Sequence, residues 1–469
     1  MITITRLLAR NVSTLFRRSL ALSPREARFL PITVIVGHGV LVFRAATSEF
    51  AVEYQEAADQ PEAQLNIPWE LLHVVAGNKT DEVTIVLEGS RLVARWQDKD
   101  IPQMKCWELP DPEAVKPFPE SPEAWTENSP ELLTAIHHAF ETTDSESARY
   151  ALACVQLRGG SGSLAATDGR QMLMQHGFAF GFDDDVLVRP TSVFGASQLD
   201  ISSPVMLGRV EKHIAVRTGP WTFWLPIDTE GRFPRVDDIV PRIASTDTTV
   251  ELHPSDARFL AENLSRLPKT EFDSNAVTLD LNGSVLVRSR GDASTQPTEL
   301  QLTNSSKTGN DVRLVTDRTY LSRALAMGLT RLHIADPASP ILAQDERRSY
   351  VWAVLEKDGV VKPSADAIVV ESPPAFATTK PRTESVTRSK SVPRQPVAIT
   401  PAQTMENIST VEPPAENASP IDQAIHLRGV LRDALTAIND LVRSLKRQQK
   451  QQRAYKSAIA SLKELQGVA

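Results

Sequence analysis

The chain has 469 residues, enough for several domains, and its 41% hydrophobic and 23% charged content is that of a globular protein. It holds no run of 18 uncharged apolar residues, which argues against a membrane-spanning helix. Its two cysteines, Cys106 and Cys154, supply neither a disulfide framework nor metal-ligand spacing, and both read as small core residues in a reducing, cytoplasmic setting. The net charge of −7 is unevenly spread, because residues 421–469 carry nine Lys/Arg against four Asp/Glu. That tail is +5, leaving −12 for residues 1–420, a balance that argues against a simple basic nucleic-acid binder but allows a locally basic surface.

In chain order, residues 1–25 contain Arg6, Arg10, Arg17, Arg18 and Arg25 and no acid, a composition shared by transit peptides and basic-faced helices. Leu7, Leu8, Val12, Leu15, Phe16 and Leu20 form one apolar stripe after a strand-like stretch, which favours a folded helix. Further helices are predicted over 68–76, 130–141, 190–199, 254–267 and 317–329, several opening on proline, beside a first one over 5–20. Each precedes a stretch of alternating β-branched or aromatic residues around a turn, at Gly37, Gly89, Gly159, Gly219, Gly283 and Pro337. Alternate turns lie 118 to 130 residues apart, so a unit of about 120 residues occurs three times, each copy holding two helix-plus-hairpin halves. The fold class is therefore α+β, with three similar domains at 1–120, 127–246 and 247–368.

Composition then changes. Residues 369–420 read as a disordered linker, with nine prolines between 371 and 420 and no apolar periodicity. Residues 421–469 carry a 3-4 apolar spacing from Ala424 to Leu462, interrupted at Gln448 and Gln452. Such a helical heptad tail suits either a coiled coil between chains or a single docked helix.

Signals for catalysis or metal binding are poor: there is no phosphate-binding glycine loop, nucleophile elbow, HExxH or CxxC. Neighbours His137 and His138 would point to different sides of a helix and cannot chelate one ion. Asp183, Asp184 and Asp185 lack the spaced ligands of a calcium loop and read as a polar turn. No enzyme, cofactor or metal is expected.

Two stretches in the middle repeat are more specific: Ala166-Thr167-Asp168-Gly169-Arg170, and Gly231-Arg232-Phe233-Pro234 followed by Ile239-Val240-Pro241. Together, in this order, they resemble the ATDGHR-like and GRFPxxxxVxP-like segments of the bacterial beta sliding clamp, the DNA polymerase III beta subunit. The resemblance extends over residues 1 to about 357, from Leu30-Pro31-Ile32 to a final strand Ser349–Leu355, and outside the middle domain it is mostly one of pattern.

The resemblance implies a non-enzymatic homodimer ring of six domains, helices inward, encircling double-stranded DNA without reading its sequence. It tethers a polymerase as a processivity factor and is served by a clamp loader. DNA-facing residues would be Arg6, Arg10, Arg17, Arg18, Arg28, Arg149, Tyr150, Arg258, Arg266 and Arg323, with Arg25, Lys269 and Arg318 nearby. Helix 130–141, without Lys or Arg, departs from a uniformly basic lining. The implied partner-peptide groove lies between domains 2 and 3, walled by Leu152, Thr167, Gly169, Arg170, Met172, Pro234, Ile239, Val351, Ala353, Val354 and Leu355. Asp238 stands where the family has a basic residue, Ala353-Val354-Leu355 replaces a Met-Pro-Met-type strand, and the chain runs over 100 residues further. These departures keep open an alternative, a diverged clamp paralogue that serves as an interaction scaffold without a replication role.

Overall fold

The computed structural model describes residues 1–144, 147, 151–244, 247–270, 275–292, 296–356 and 359–375. The predicted tail over 421–469, most of the linker, Arg149 and Tyr150 lie outside the described residues.

The first module runs β1 (Ile2–Thr5), α1 (Arg6–Ser19), α2 (Pro24–Ala27), β2 (Pro31–Gly37), β3 (Val40–Ala46), β4 (Ala51–Ala57), β5 (Ala63–Pro68), α3 (Trp69–Val75), β6 (Glu82–Glu88), β7 (Arg91–Asp98) and β8 (Ile101–Glu108). The second runs β9 (Thr126–Asn128), α4 (Glu131–Thr142), β10 (Val155–Arg158), β11 (Ser163–Thr167), β12 (Gln171–His176), β13 (Asp185–Val188), β14 (Val205–Val210), β15 (His213–Thr218) and β16 (Trp221–Pro226). The third runs β17 (Thr248–Glu251), α5 (Pro254–Asn263), β18 (Ala276–Asp280), β19 (Leu286–Ser289), β20 (Thr298–Gln301), β21 (Ser306–Thr308), β22 (Arg313–Asp317), α6 (Arg318–Ala326), β23 (Arg331–Ile334), β24 (Ile341–Gln344) and β25 (Arg348–Trp352). A last strand, β26 (Ile368–Glu371), follows.

All six predicted hairpins form. The β2–β3 turn shows why the sequence folds so: His38 and Gly39 both take positive φ, 52° and 77°, the geometry that matches strand twist in a two-residue loop. Five predicted helices form as well. The one expected over 190–199 shrinks to a single 3-10 turn, Ser192–Gly195, because its backbone lies against α4: a Cβ at Gly195 would strike the His137 ring. In α1 the predicted stripe is buried through Leu8, Val12, Leu15 and Phe16, and Thr5 caps the helix by accepting from the Leu8 N–H. Cys154 is buried as expected, but Cys106 is exposed on β8.

Sheets cross the module boundaries. An eight-stranded sheet, β5-β2-β3-β4-β16-β15-β14-β9, joins the first two modules at the β4–β16 pair. A nine-stranded sheet, β13-β10-β11-β12-β25-β24-β23-β17-β21, joins the second and third at β12–β25. Two smaller sheets, β1-β6-β7-β8 and β22-β18-β19-β20-β26, close the ends of the module order. The body continues past residue 368, correcting the expected start of the linker: β26 pairs in parallel with β20, and Ser372 bonds to Thr303. No helix among the described residues is long and apolar enough to cross a membrane.

Candidate nucleic-acid interface and partner groove

The expected DNA-facing arginines fall into two groups. Arg10, Arg28, Arg258 and Arg266 are exposed, and Arg17 and Arg18 are half-buried in the last turn of α1. Arg10 reaches Asn78 at 2.6 Å, and Arg28 lies 3.2 Å from Glu70. Arg6 does other work: its guanidinium donates to the carbonyls of Val75 and Ala76, satisfying the end of α3, and meets Asp98 at 3.0 Å. A Cβ at Gly77 would sit 2.8 Å from that guanidinium, so the glycine makes room for it. Arg323 also turns inward, donating to Gln171 Oε1 at 2.5 Å with Glu141 at 3.9 Å. Arg318 is 4% exposed and donates to the carbonyls of Leu264, Leu267 and Pro268, a structural cap rather than a phosphate contact. Sequence reasoning passed over Lys79, which is exposed and shares a cavity of about 550 Å³ with Arg6 and Arg10. Its signal was weak, a lone lysine in a loop.

The groove begins at the turn between β11 and β12. Asp168 Oδ1 accepts from the N–H groups of Arg170 and Gln171 at 2.7 and 2.9 Å, and Gly169 takes φ +86°, a value that favours glycine. The Thr167 hydroxyl donates to the Gln171 carbonyl at 2.6 Å and is 4% exposed, so it holds the turn instead of facing a ligand. Leu152, Gly169, Arg170 and Pro234 line a cavity of about 650 Å³, together with Asp144 and Tyr320, two residues missed in the sequence. Burial pushes the Tyr320 hydroxyl up, with the charges of Asp168 and Asp317 acting in the same direction.

The remaining predicted walls lie elsewhere. Met172 and Val351 pair across β12 and β25, each 2% exposed, in a small core closed over by Phe233, Val236 and Val240. Phe233 of the GRFP segment, with Val236 and Val240 just after it, thus packs over these two predicted wall residues. Ile239 is 51% exposed, Ala353 is exposed, and Val354 packs toward the main core. Leu355 is half-buried, its N–H donating to Val315.

A polar chain links the groove to the helices. Gln171 Nε2 donates to Asp168 at 2.8 Å, while its Oε1 accepts from both Arg323 and the Tyr350 hydroxyl at 2.5 Å. Burial raises the Tyr350 hydroxyl above the usual phenol range, so it stays a donor. His138 on α4 is held down to about 4, first by burial and then by His137, Arg348 and Arg323. No cluster of metal-ligating side chains occurs among the described residues, and the Asp183–Asp185 turn is tied down by an Asp184–Arg209 pair at 2.6 Å.

No protein-family model and no curated protein matches this sequence. Solved structures do match. The DNA polymerase III subunit beta of Pseudomonas aeruginosa is 16% identical with a TM-score of 0.59. The beta subunit from the DNA polymerase of Streptococcus pyogenes is 14% identical at 0.61. The DnaN sliding clamp of Bartonella birtlesii, bound to griselimycin, is 16% identical at 0.61. Each match covers 76% of this chain and 99% of the other. The chain has the sliding-clamp fold. That fold accounts for the threefold module order and for sheets that run through both module boundaries. It also gives a place to the two middle-module segments, which line one cavity through Asp168, Gly169 and Arg170 of the first and Pro234 of the second.

Proposed function

We propose that this protein is a DNA sliding clamp: two copies close into a ring around duplex DNA and tether a polymerase. The observation that carries this reading is the module order. Half-sheets join edge to edge at both internal boundaries, which leaves one open half-sheet at each end for a second copy to complete. Arg10, Arg17, Arg18, Lys79, Arg258 and Arg266 are the cations proposed to meet phosphates, in contacts that carry no sequence information. The tether works by effective concentration, since a polymerase held near its template rebinds before it diffuses away. Partner peptides are proposed to enter the cavity beside Leu152 and Gly169.

The test is mass in solution together with retention on nicked circular DNA, with and without a clamp loader. Two copies that stay on circles and run off linear DNA support the reading; a monomer that never loads ends it.

One observation favours the paralogue scaffold instead: the Met172–Val351 site is filled by the chain's own Phe233 and Val236. Peptide binding separates the two. A working clamp binds clamp-binding peptides and loses about 1–3 kcal/mol on Leu152→Ala, at the cavity wall, whereas a scaffold binds none. Griselimycin, present on the Pseudomonas aeruginosa and Bartonella birtlesii clamps, is a ready competitor for that assay.

A further inference from the structure

Strands β4, β12 and β20 occupy the same place in the three modules, and so do β16, β25 and β8. β4 pairs antiparallel with β16, and β12 pairs antiparallel with β25. By the same rule, β20 of one copy should meet β8 of another. Yet the outer edge of β20 is already taken by β26, which runs parallel to it.

We propose that β26, a strand added after the third module, is the edge that β8 of a second copy pairs with, so that the chain's own extension forms the closing seam. This rests on the two-copy ring proposed above. Because β26 runs with β20, an incoming β8 stays antiparallel to its new neighbour, and the seam moves outward by one strand spacing, about 4.8 Å.

Three observations support an occupied edge. β26 is apolar yet open: Ile368, Val369 and Val370 are 52%, 52% and 40% exposed, an edge that unpaired would invite aggregation. β8 is its counterpart, with Ile101 62% and Met104 65% exposed, and no described strand pairs with its outer side. Lastly, β26 is firmly held from behind. Ser372 is buried, donates its N–H to the Gln301 carbonyl and accepts from the Thr303 N–H, while Asn304 Nδ2 donates to the Pro373 carbonyl. Asn304 is fixed in turn by buried Asp256 on α5. Burial pushes the Asp256 carboxyl up, but bonds from Asn304 and Ser305 outweigh it and keep it below the usual range.

The backbone supplies a selective probe. The N–H groups of Ile368 and Ser372 donate toward β20 and its flank, so by alternation Val369 and Glu371 turn their N–H and C=O to the free side. Val369→Pro removes an outward donor and spares the inward bonds. In the full chain, sedimentation should give two copies for the parent and at least tenfold weaker association for Val369→Pro. With diamide added as thiol oxidant, which takes up the two electrons and two protons, exposed Cys106 on β8 should form an interchain disulfide with a cysteine introduced by Ile368→Cys, Val369→Cys or Val370→Cys, and Cys106→Ser should abolish it. A dimer that ignores Val369→Pro and yields no such disulfide overturns the seam and leaves the ring reading intact. So does tighter association when the chain is cut after Pro363, which would make β26 a plug. No dimer from any variant at any concentration overturns the ring reading itself.

Discussion

Replacing Arg318 by alanine would strip donors from the carbonyls of Leu264, Leu267 and Pro268, all facing a guanidinium only 4% exposed. Denaturant unfolding should show a loss of about 3 kcal/mol. Arg258→Ala, on the exposed face of α5, should cost under about 0.5 kcal/mol and weaken DNA retention instead. Gly169→Ala should cost about 1 kcal/mol, because φ +86° puts a Cβ in the left-handed region. His138 sets a pH dependence. Burial holds its folded value at about 4, below an ordinary histidine, so the unfolded chain takes up the proton first. Stability should therefore be full above about pH 6.5 and fall, by on the order of 2 kcal/mol, as pH drops toward 4. A thermal-unfolding series from pH 7 to 4 checks this, and His138→Phe should flatten it.

At the level of elements, helix α1 divides its labour by face. Leu8, Val12, Leu15 and Phe16 are buried, Phe16 meeting Trp221 of the second module edge-on at 6.4 Å, while Arg10 is exposed and Arg17 and Arg18 are half-buried. If the exposed face meets phosphates, Arg10→Ala should weaken DNA binding uniformly across sequences and reduce the slope of log K against log salt by about one. Titration at several salt concentrations reads this directly, and an unchanged slope would remove Arg10 from the interface. α4 differs in having no Lys or Arg along Glu131–Thr142, so no equivalent slope change is expected from its substitutions.

For the whole molecule, the shared sheets decide cooperativity. Phe223 on β16 is fully buried and pairs with Val52 on β4 across the first boundary, where the Trp221 and Tyr54 rings lie tilted with centroids 4.5 Å apart. Phe223→Ala should cost about 3–5 kcal/mol and lower one common transition, because the modules it joins share a sheet. Two separated transitions in calorimetry would show that the boundary is looser than its pairing.

Local patterning by itself determined the hairpins, five of the six helices and the threefold period, since alternation and helical spacing are properties of neighbouring residues. It also determined the Thr167–Arg170 turn, whose Asp and Gly act within four residues. The tertiary structure alone decided what each charge and apolar side chain faces: Arg6, Arg318 and Arg323 look like surface cations in sequence, yet distant carbonyls and Gln171 claim them. It likewise closed Met172 and Val351 under Phe233 and Val236, residues some sixty to over a hundred positions away, and laid β26 along β20. Such contacts depend on which strands become neighbours, and strand neighbours are set by the packing of the entire body.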